Sequence, residues 1–280
     1  MFGREYANHL DILTQSFEQI NENYQNKIKK GNKKDLVKKL KKLYILVFGI
    51  PEIGFQIRSL YFEKILSAHI FNKKLKLILD AGSGIGAYTF FLAKKFRKAN
   101  VVGGDIDKIK LQTCKVLANQ INIKNVKFIY FDATKIQNSA KYDIIVNVDV
   151  LEHINHYELA LENFSNLLRK GGYLYIHVPQ PNQKRLFKSL RQWHHEDHAH
   201  EGIIKSELEE KLKKMGFKII ESLETFGFFG KLSWELNHLA LSKSFVLAGI
   251  IFPFLYILAL LDLLWKNKNG LGVAILSQKK

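Results

Sequence analysis

Three aspartates, Asp80, Asp105 and Asp132, each stand at or near the end of a short apolar run, and the first is followed by glycines at alternate positions in LDAGSGIGAY: Gly82, Gly84 and Gly86. A strand-to-helix turn without side chains lets a ligand lie against the backbone, and the helix N-terminus offers free N–H groups to a carboxylate or phosphate. A tight structural turn needs glycine as well, so the loop alone is ambiguous. The other acids narrow the reading. Asp105, in VVGGDID, can accept hydrogen bonds from both hydroxyls of a ribose, as it would for NAD. Asp132, in FIYFDAT, can accept from an exocyclic adenine amine. Two acids at successive strand ends disfavour the phosphate-rich dinucleotide and favour a cationic nucleoside.

The elements that must bring these acids together alternate along the chain. Strand patterns at Leu75–Asp80, Val101–Asp105, Val126–Phe131, Tyr142–Val148, Tyr173–Val178 and Phe217–Leu223 are interleaved with amphipathic helical patterns at Ala87–Arg97, Lys108–Ile121, His156–Arg169 and Ser206–Met215. Short apolar runs, each followed by a longer amphipathic one, predict a parallel sheet covered by helices on both faces. In such a doubly wound α/β domain ligands lie at the carboxyl ends of the strands.

Taken in order, ILDAGSGIG, VVGGDID, FDAT, YDIIVNVDVLEHI and LLRKGGYLYIHVP resemble the successive motifs of class I S-adenosylmethionine-dependent methyltransferases, over roughly Leu75 to Leu223. The resemblance implies a seven-stranded, mostly parallel sheet and S-adenosylmethionine as methyl donor. It also implies that Asp80, Gly82, Gly84 and Gly86 hold the methionine end of the cofactor and that Asp105 takes the ribose. Ile106 would pack on the adenine, Asp132 and Ala133 would face its amine, and Asn147 would lie near the methionine moiety. A plain strand-end turn is the alternative for Asn147.

Methyl transfer is an in-line displacement at carbon, so the protein mainly aligns the acceptor and, for a hydroxyl, removes its proton. His153, in DVLEHI, can be that base, since imidazole is the side chain most often used for general-base work. Asp149, Glu152 and His153 can alternatively hold a divalent metal such as Mg²⁺ that lowers the acceptor's pKa. This stretch resembles that of the quinone-biosynthetic O-methyltransferases. A simple helix-capping role for Glu152 and His153 is the third possibility. A second polar cluster, WHHEDHAHEG, lacks thiolates and compact zinc spacing. It falls where this family places the acceptor lid, so His195 or His198 is expected near the acceptor, with His198 as the second catalytic candidate.

The chain has 280 residues, one cysteine (Cys114) and a formal charge of +17, with 43 basic residues of which six are arginine. The single cysteine cannot form an internal disulfide and the N-terminus lacks the short apolar core of a signal peptide, so the bulk of the chain is expected to be cytoplasmic. Nine lysines crowd Lys27 to Lys42. Within them Leu36, Val37, Leu40, Leu43, Tyr44 and Val47 recur at helical spacing, a basic amphipathic helix suited to an anionic bilayer. Toward the other end, the apolar run Phe245–Trp265 separates the sixth strand from GVAILSQ, Gly272–Gln278. If that segment completes the same sheet, both ends of the insertion lie on one side of any membrane, which excludes a single span. An in-plane or re-entrant helical pair bent at Pro253 is expected instead.

The resulting division is a basic helical cap (1–70), a cofactor-binding core (71–225), an apolar membrane-associating insertion (226–270) and a final strand (271–280). The function expected is methyl transfer, at oxygen, to a lipophilic or lipid-linked acceptor by a peripheral or monotopic enzyme on the cytoplasmic face of a membrane. The charge raises a nucleic-acid methyltransferase as an alternative. No RNA-binding module or Asn-Pro-Pro-Tyr-type motif accompanies it, since the fourth strand leads into NVDV. A non-catalytic, cofactor-binding membrane adaptor is a third reading.

Overall fold

The computed structural model describes residues 6–7, 34–50, 52–135, 140–190 and 199–280, excluding the side chains of residues 34–38 and 245. Seven strands form one sheet: β1 (Leu77–Ala81), β2 (Asn100–Asp105), β3 (Val126–Tyr130), β4 (Tyr142–Val148), β5 (Leu168–Pro179), β6 (Phe217–Thr225) and β7 (Gly272–Lys279). Their order is β3-β2-β1-β4-β5-β7-β6. Paired neighbours run parallel except at β7, which is antiparallel to both β5 and β6. The expected doubly wound, mostly parallel seven-stranded sheet is what the chain forms. Strand order reverses between β1 and β4, which places the ligand crevice at their carboxyl ends.

Successive strand residues alternate between the two faces. Leu79, Ile145, Ile176 and Ile275 pack with α5 (Tyr157–Leu167) and α6 (Lys205–Lys214). Their neighbours Ile78, Ile144, Tyr175 and Ala274 pack with α2 (Ile53–His69) and α3 (Ala87–Lys95). Helix α4 (Lys108–Gln120) buries Leu111, Cys114 and Leu117 against Phe90 and Phe128. The N-terminal region thus supplies more than a cap, because α2 is a core helix of the sheet. It follows α1 (Lys34–Phe48) after a left-handed Gly49, and its first turn is capped by Glu52, whose carboxylate accepts from the Gly54 and Phe55 amides. One boundary differs from the helical pattern read as far as Arg169. Leu168 is already extended and pairs with Tyr142, and β5 continues through a left-handed Gly171.

The insertion between β6 and β7 is a helical hairpin, α7 (Phe228–Lys243) and α8 (Phe245–Asp262). Contrary to the expectation from the sequence, the two helices are not divided at Pro253. The reversal lies at Ser244, in extended conformation between the two helices, and α8 runs continuously through the proline. A proline inside a helix removes the N–H that would bond the carbonyl four residues back, here that of Gly249. That carbonyl accepts instead from the Tyr44 hydroxyl of α1 at 2.7 Å. The Tyr44 ring also packs tilted, and the Phe48 ring edge-on, against Phe252. The proline is thereby tolerated and α1 is fixed to α8 by the same contact.

Asp262, the acid near the end of the apolar run, is fully buried. Its carboxylate accepts from the Gly227 and Gly230 amides at the start of α7, at 3.0 and 2.9 Å, and from the Tyr61 hydroxyl of α2 at 2.7 Å. A carboxylate at a helix N-terminus complements the unpaired amides there. Ile53, Ile57 and Tyr61 share one apolar cluster with Trp234, Phe252 and Leu255.

The Tyr44–Gly249 contact gives a double-mutant cycle. Tyr44→Phe is expected to cost about 1 kcal/mol in the wild-type background, the usual worth of such a bond. In a Pro253→Ala background, where the backbone amide can satisfy Gly249, the same change should cost little. Denaturant melts measure both, and equal losses would mean the hydroxyl has no part in accommodating the proline.

Candidate active site

The loop after β1 carries the glycines into α3. Gly82, Gly84 and Gly86 all have positive φ, at 87°, 51° and 83°. At Gly82 a Cβ would collide with Val150, so the turn itself requires glycine. At Gly84 a Cβ would meet nothing within 4 Å. That open space is where a ligand can approach the backbone. The Tyr6 hydroxyl donates to the Ile85 carbonyl of the same loop.

Asp80 is buried and accepts from the Thr89 hydroxyl at 2.5 Å. Burial pushes its carboxyl up to about 7, against the lowering effect of that hydrogen bond. Asp105 ends β2 and accepts from the Gly84 amide at 2.7 Å and the Asp107 amide at 2.9 Å. It therefore braces the glycine loop, with Ile106 exposed beside it. Asp132 accepts from the Thr134 hydroxyl at 2.6 Å and pairs with Lys135 at 3.1 Å. The Thr134 hydrogen bond leads the effects that hold its carboxyl below the usual range. Ala133 next to it is buried. Asn147, near the end of β4, donates to the Ala81 carbonyl at 2.8 Å, whereas its buried Oδ1 has no partner. The Ser83 hydroxyl is likewise buried and unmatched. An open glycine cradle flanked by orphaned polar atoms and a ring of carboxylates fits S-adenosylmethionine, which brings donors and positive charge.

Beyond β4 the chain turns through Asp149, whose φ is 51°. Asp149 pairs with Arg58 of α2 at 3.1 Å and with Nδ1 of His177 at 2.5 Å, and His177 Nε2 reaches the Thr225 hydroxyl at 2.9 Å. Arg58 also reaches Glu52 at 3.3 Å. Burial would depress Arg58, but the two carboxylates outweigh it and keep the guanidinium charged. Glu152 is buried with Oε2 unmatched, and burial followed by the nearby Asp149 pushes its carboxyl well up, toward the protonated form. His153 sits exposed at the end of the short 3-10 turn 151–153.

Asp149, Glu152 and His153 do not come together as a metal site. Asp149 is engaged by Arg58 and His177, and among the described residues no three His, Cys, Asp or Glu side chains form such a group. His195 and His198 lie outside the described residues. Of the same cluster, His200 bonds the Asn155 carbonyl and packs edge-on against Tyr157. The sequence reading missed Arg58, His177 and Thr225. His177 falls within the LLRKGGYLYIHVP stretch, but nothing there marks it as a partner of Asp149, and the three residues join only when α2, β5 and β6 are assembled.

A family model described as a methyltransferase domain matches residues 72–224. The chain belongs to this family, the class I S-adenosylmethionine-dependent methyltransferases. Among its relatives is (S)-coclaurine N-methyltransferase of Papaver somniferum, 28% identical over 99 residues that cover 35% of this chain and 28% of that enzyme. Another is the ubiquinone biosynthesis O-methyltransferase of Pelagibacter ubique (strain HTCC1062), 29% identical over 104 residues, 37% of this chain and 42% of that one. The matches thus span less than half of either relative. A solved coclaurine N-methyltransferase bound to N-methylheliamine and SAH shares the fold, with a TM-score of 0.53, 16% identity, and coverage of 79% of this chain and 70% of that one. The matched residues thus carry the methyltransferase domain of a family that uses S-adenosylmethionine as methyl donor.

Two measurements test the cradle. Gly84→Ala should leave the protein folded, with a strain of about 1–2 kcal/mol from its left-handed backbone, yet weaken S-adenosylmethionine by about tenfold or more. Unchanged affinity in calorimetry would place the cofactor elsewhere. For Asp80, a cationic ligand favours the carboxylate, so binding near neutral pH should release a proton and affinity should rise between about pH 6 and 8. Titrations in buffers of different ionisation enthalpy detect that proton, and Asp80→Asn should abolish it.

Proposed function

We propose that this methyltransferase acts at oxygen of a lipophilic or lipid-linked acceptor presented at a membrane surface. The observation that carries the reading is the position of the apolar hairpin. β5 and β6 run in the same direction, so β6 ends at the ligand side of the sheet, and Thr225, its last residue, bonds His177 of the site. The hairpin α7–α8 starts three residues later.

S-adenosylmethionine, when bound, supplies a methyl group on a sulfonium leaving group. Gly84 and Asp105 position the cofactor. Arg58 and His177 hold Asp149 at the rim of the crevice. The segment after β5, on the acceptor side, is fixed to the hairpin: the Leu186 and Phe187 amides donate to the buried Glu235 of α7 at 2.8–3.0 Å, and Gln183 donates to Leu271. His153, exposed beside the site, takes the acceptor proton in this reading.

An amine acceptor is the second reading. It is favoured by the buried Glu152, whose Oε2 has no partner and can accept from an ammonium N–H, and by relatives named as N-methyltransferases.

Methyl-labelled S-adenosylmethionine incubated with enzyme and a total lipid extract should give labelled, organic-extractable product whose methyl is lost by ether or ester cleavage. A methylamine product would select the second reading, and no labelled lipid would overturn both. His153→Ala should lower turnover by about 10²-fold with cofactor affinity intact. Full activity in that variant would remove His153 as the base.

A further inference from the structure

The exposed apolar side chains of this chain concentrate on two touching helices. On α8, Val246, Ile250, Phe254 and Ile257 recur at three- to four-residue intervals along one face, with Val246 and Ile250 exposed by 72% and 71%, and Leu264 just beyond the helix is exposed as well. The opposite face, with Phe252, Leu255 and Ala259, is buried. On α1, Leu40, Leu43 and Val47 are exposed. The Tyr44 hydroxyl on the Gly249 carbonyl and the Tyr44 and Phe48 rings on Phe252 hold the two helices together, so both rows belong to one region of the surface.

Charge surrounds this region. Lys39, Lys41 and Lys42 are exposed on α1, Lys243 precedes α8, and Trp265, Lys266 and Lys268 follow it, all exposed. An apolar face ringed by lysines with a tryptophan at its margin has the make-up of an interfacial helix, its apolar face in the acyl boundary and its cations at lipid phosphates.

We infer that the joint face of α1 and α8 is the surface by which this enzyme docks, in plane, on an anionic phospholipid bilayer. This rests on the reading of the acceptor as lipophilic and names the surface that meets it. Docking is in plane because Thr225 and Gly272, which flank the hairpin, are paired neighbours in the sheet, and because one side of α8 is committed to α2 and α7. The stretch Lys39–His69 has the length and apolarity of a span, but α2, its second half, packs on the sheet. A second copy of this chain fits the face poorly, since a two-fold contact through it would bring the two lysine rows together. Nucleic acid would leave the apolar centre unsatisfied.

Flotation of the full chain with vesicles tests this. The protein should float with phosphatidylcholine vesicles containing phosphatidylglycerol, and less with phosphatidylcholine alone. The triple variant Ile250→Asp, Phe254→Asp, Ile257→Asp should lose about tenfold or more in vesicle affinity. A second variant, Lys39→Glu, Lys41→Glu, Lys42→Glu, should lose the preference for the anionic lipid. Flotation of the aspartate variant equal to wild type, or no flotation of the wild type, overturns the inference. So does sedimentation as a dimer that the aspartate variant converts to monomer without any vesicle binding. S-adenosylmethionine affinity, measured by calorimetry on each protein, should be unchanged. A wild type that floats but fails to bind S-adenosylmethionine would sink the methyltransferase reading and leave the docking surface standing.

Discussion

The antiparallel insertion of β7 between β5 and β6 is the constraint on which the rest of this molecule depends. Because β7 completes the interior of the sheet, the chain that leaves β6 must return to the same end, Thr225 pairing with Gly272. That end is the carboxyl end of the parallel strands, where a doubly wound sheet binds its ligands. A segment placed there can be long without disturbing the sheet, but it cannot be remote from the site. The apolar hairpin therefore stands beside the crevice by topology, whatever its sequence.

Buried polar contacts convert that proximity into a fixed arrangement. Asp262 joins the start of α7 to Tyr61 of α2, and α2 carries Arg58 to Asp149. Asp149 in turn holds His177, which reaches Thr225 at the root of the hairpin. The path from the sheet edge through hairpin, helix and rim returns to where it began. Asp262, Tyr61, His177 and Thr225 are buried, so removing one of their partners would leave a polar group unmatched in the interior, the costly case, whereas Arg58 and Asp149 are partly exposed. The N-terminal helices and the hairpin behave as one cap over the carboxyl end, joined by the shared cluster around Ile57, Trp234 and Phe252.

The cofactor half of the site was legible in the sequence because its residues are local. A strand end, three glycines and an acid at the next strand end are set by short-range geometry, and Gly84 donating to Asp105 is that geometry realised. The parallel sheet was legible because buried strands and amphipathic helices have different periods. The rim beyond β4 was not. Arg58, His177 and Thr225 lie on three elements far apart in the chain, and even the LLRKGGYLYIHVP stretch around His177 does not mark it as a partner of Asp149. Pro253 misled for a related reason. The helix runs on through it, and the carbonyl it frees is met by Tyr44, a residue some two hundred positions away. The helical reading through Arg169 failed because Leu168 is drawn into the sheet by its pairing with Tyr142, which a local pattern cannot register.

The central claim is that one end of the sheet carries both the cofactor crevice and the face that meets lipid. Hydrogen–deuterium exchange on the full chain, with S-adenosylhomocysteine and then with anionic vesicles, tests it most directly. S-adenosylhomocysteine should protect the amides of residues 82–86 and 105–107, and vesicles should protect α1 and α8 while leaving α5 and α6, on the other side of the sheet, unchanged. Protection by vesicles centred on α5 or α6, or by S-adenosylhomocysteine away from the glycine loop, would contradict the account.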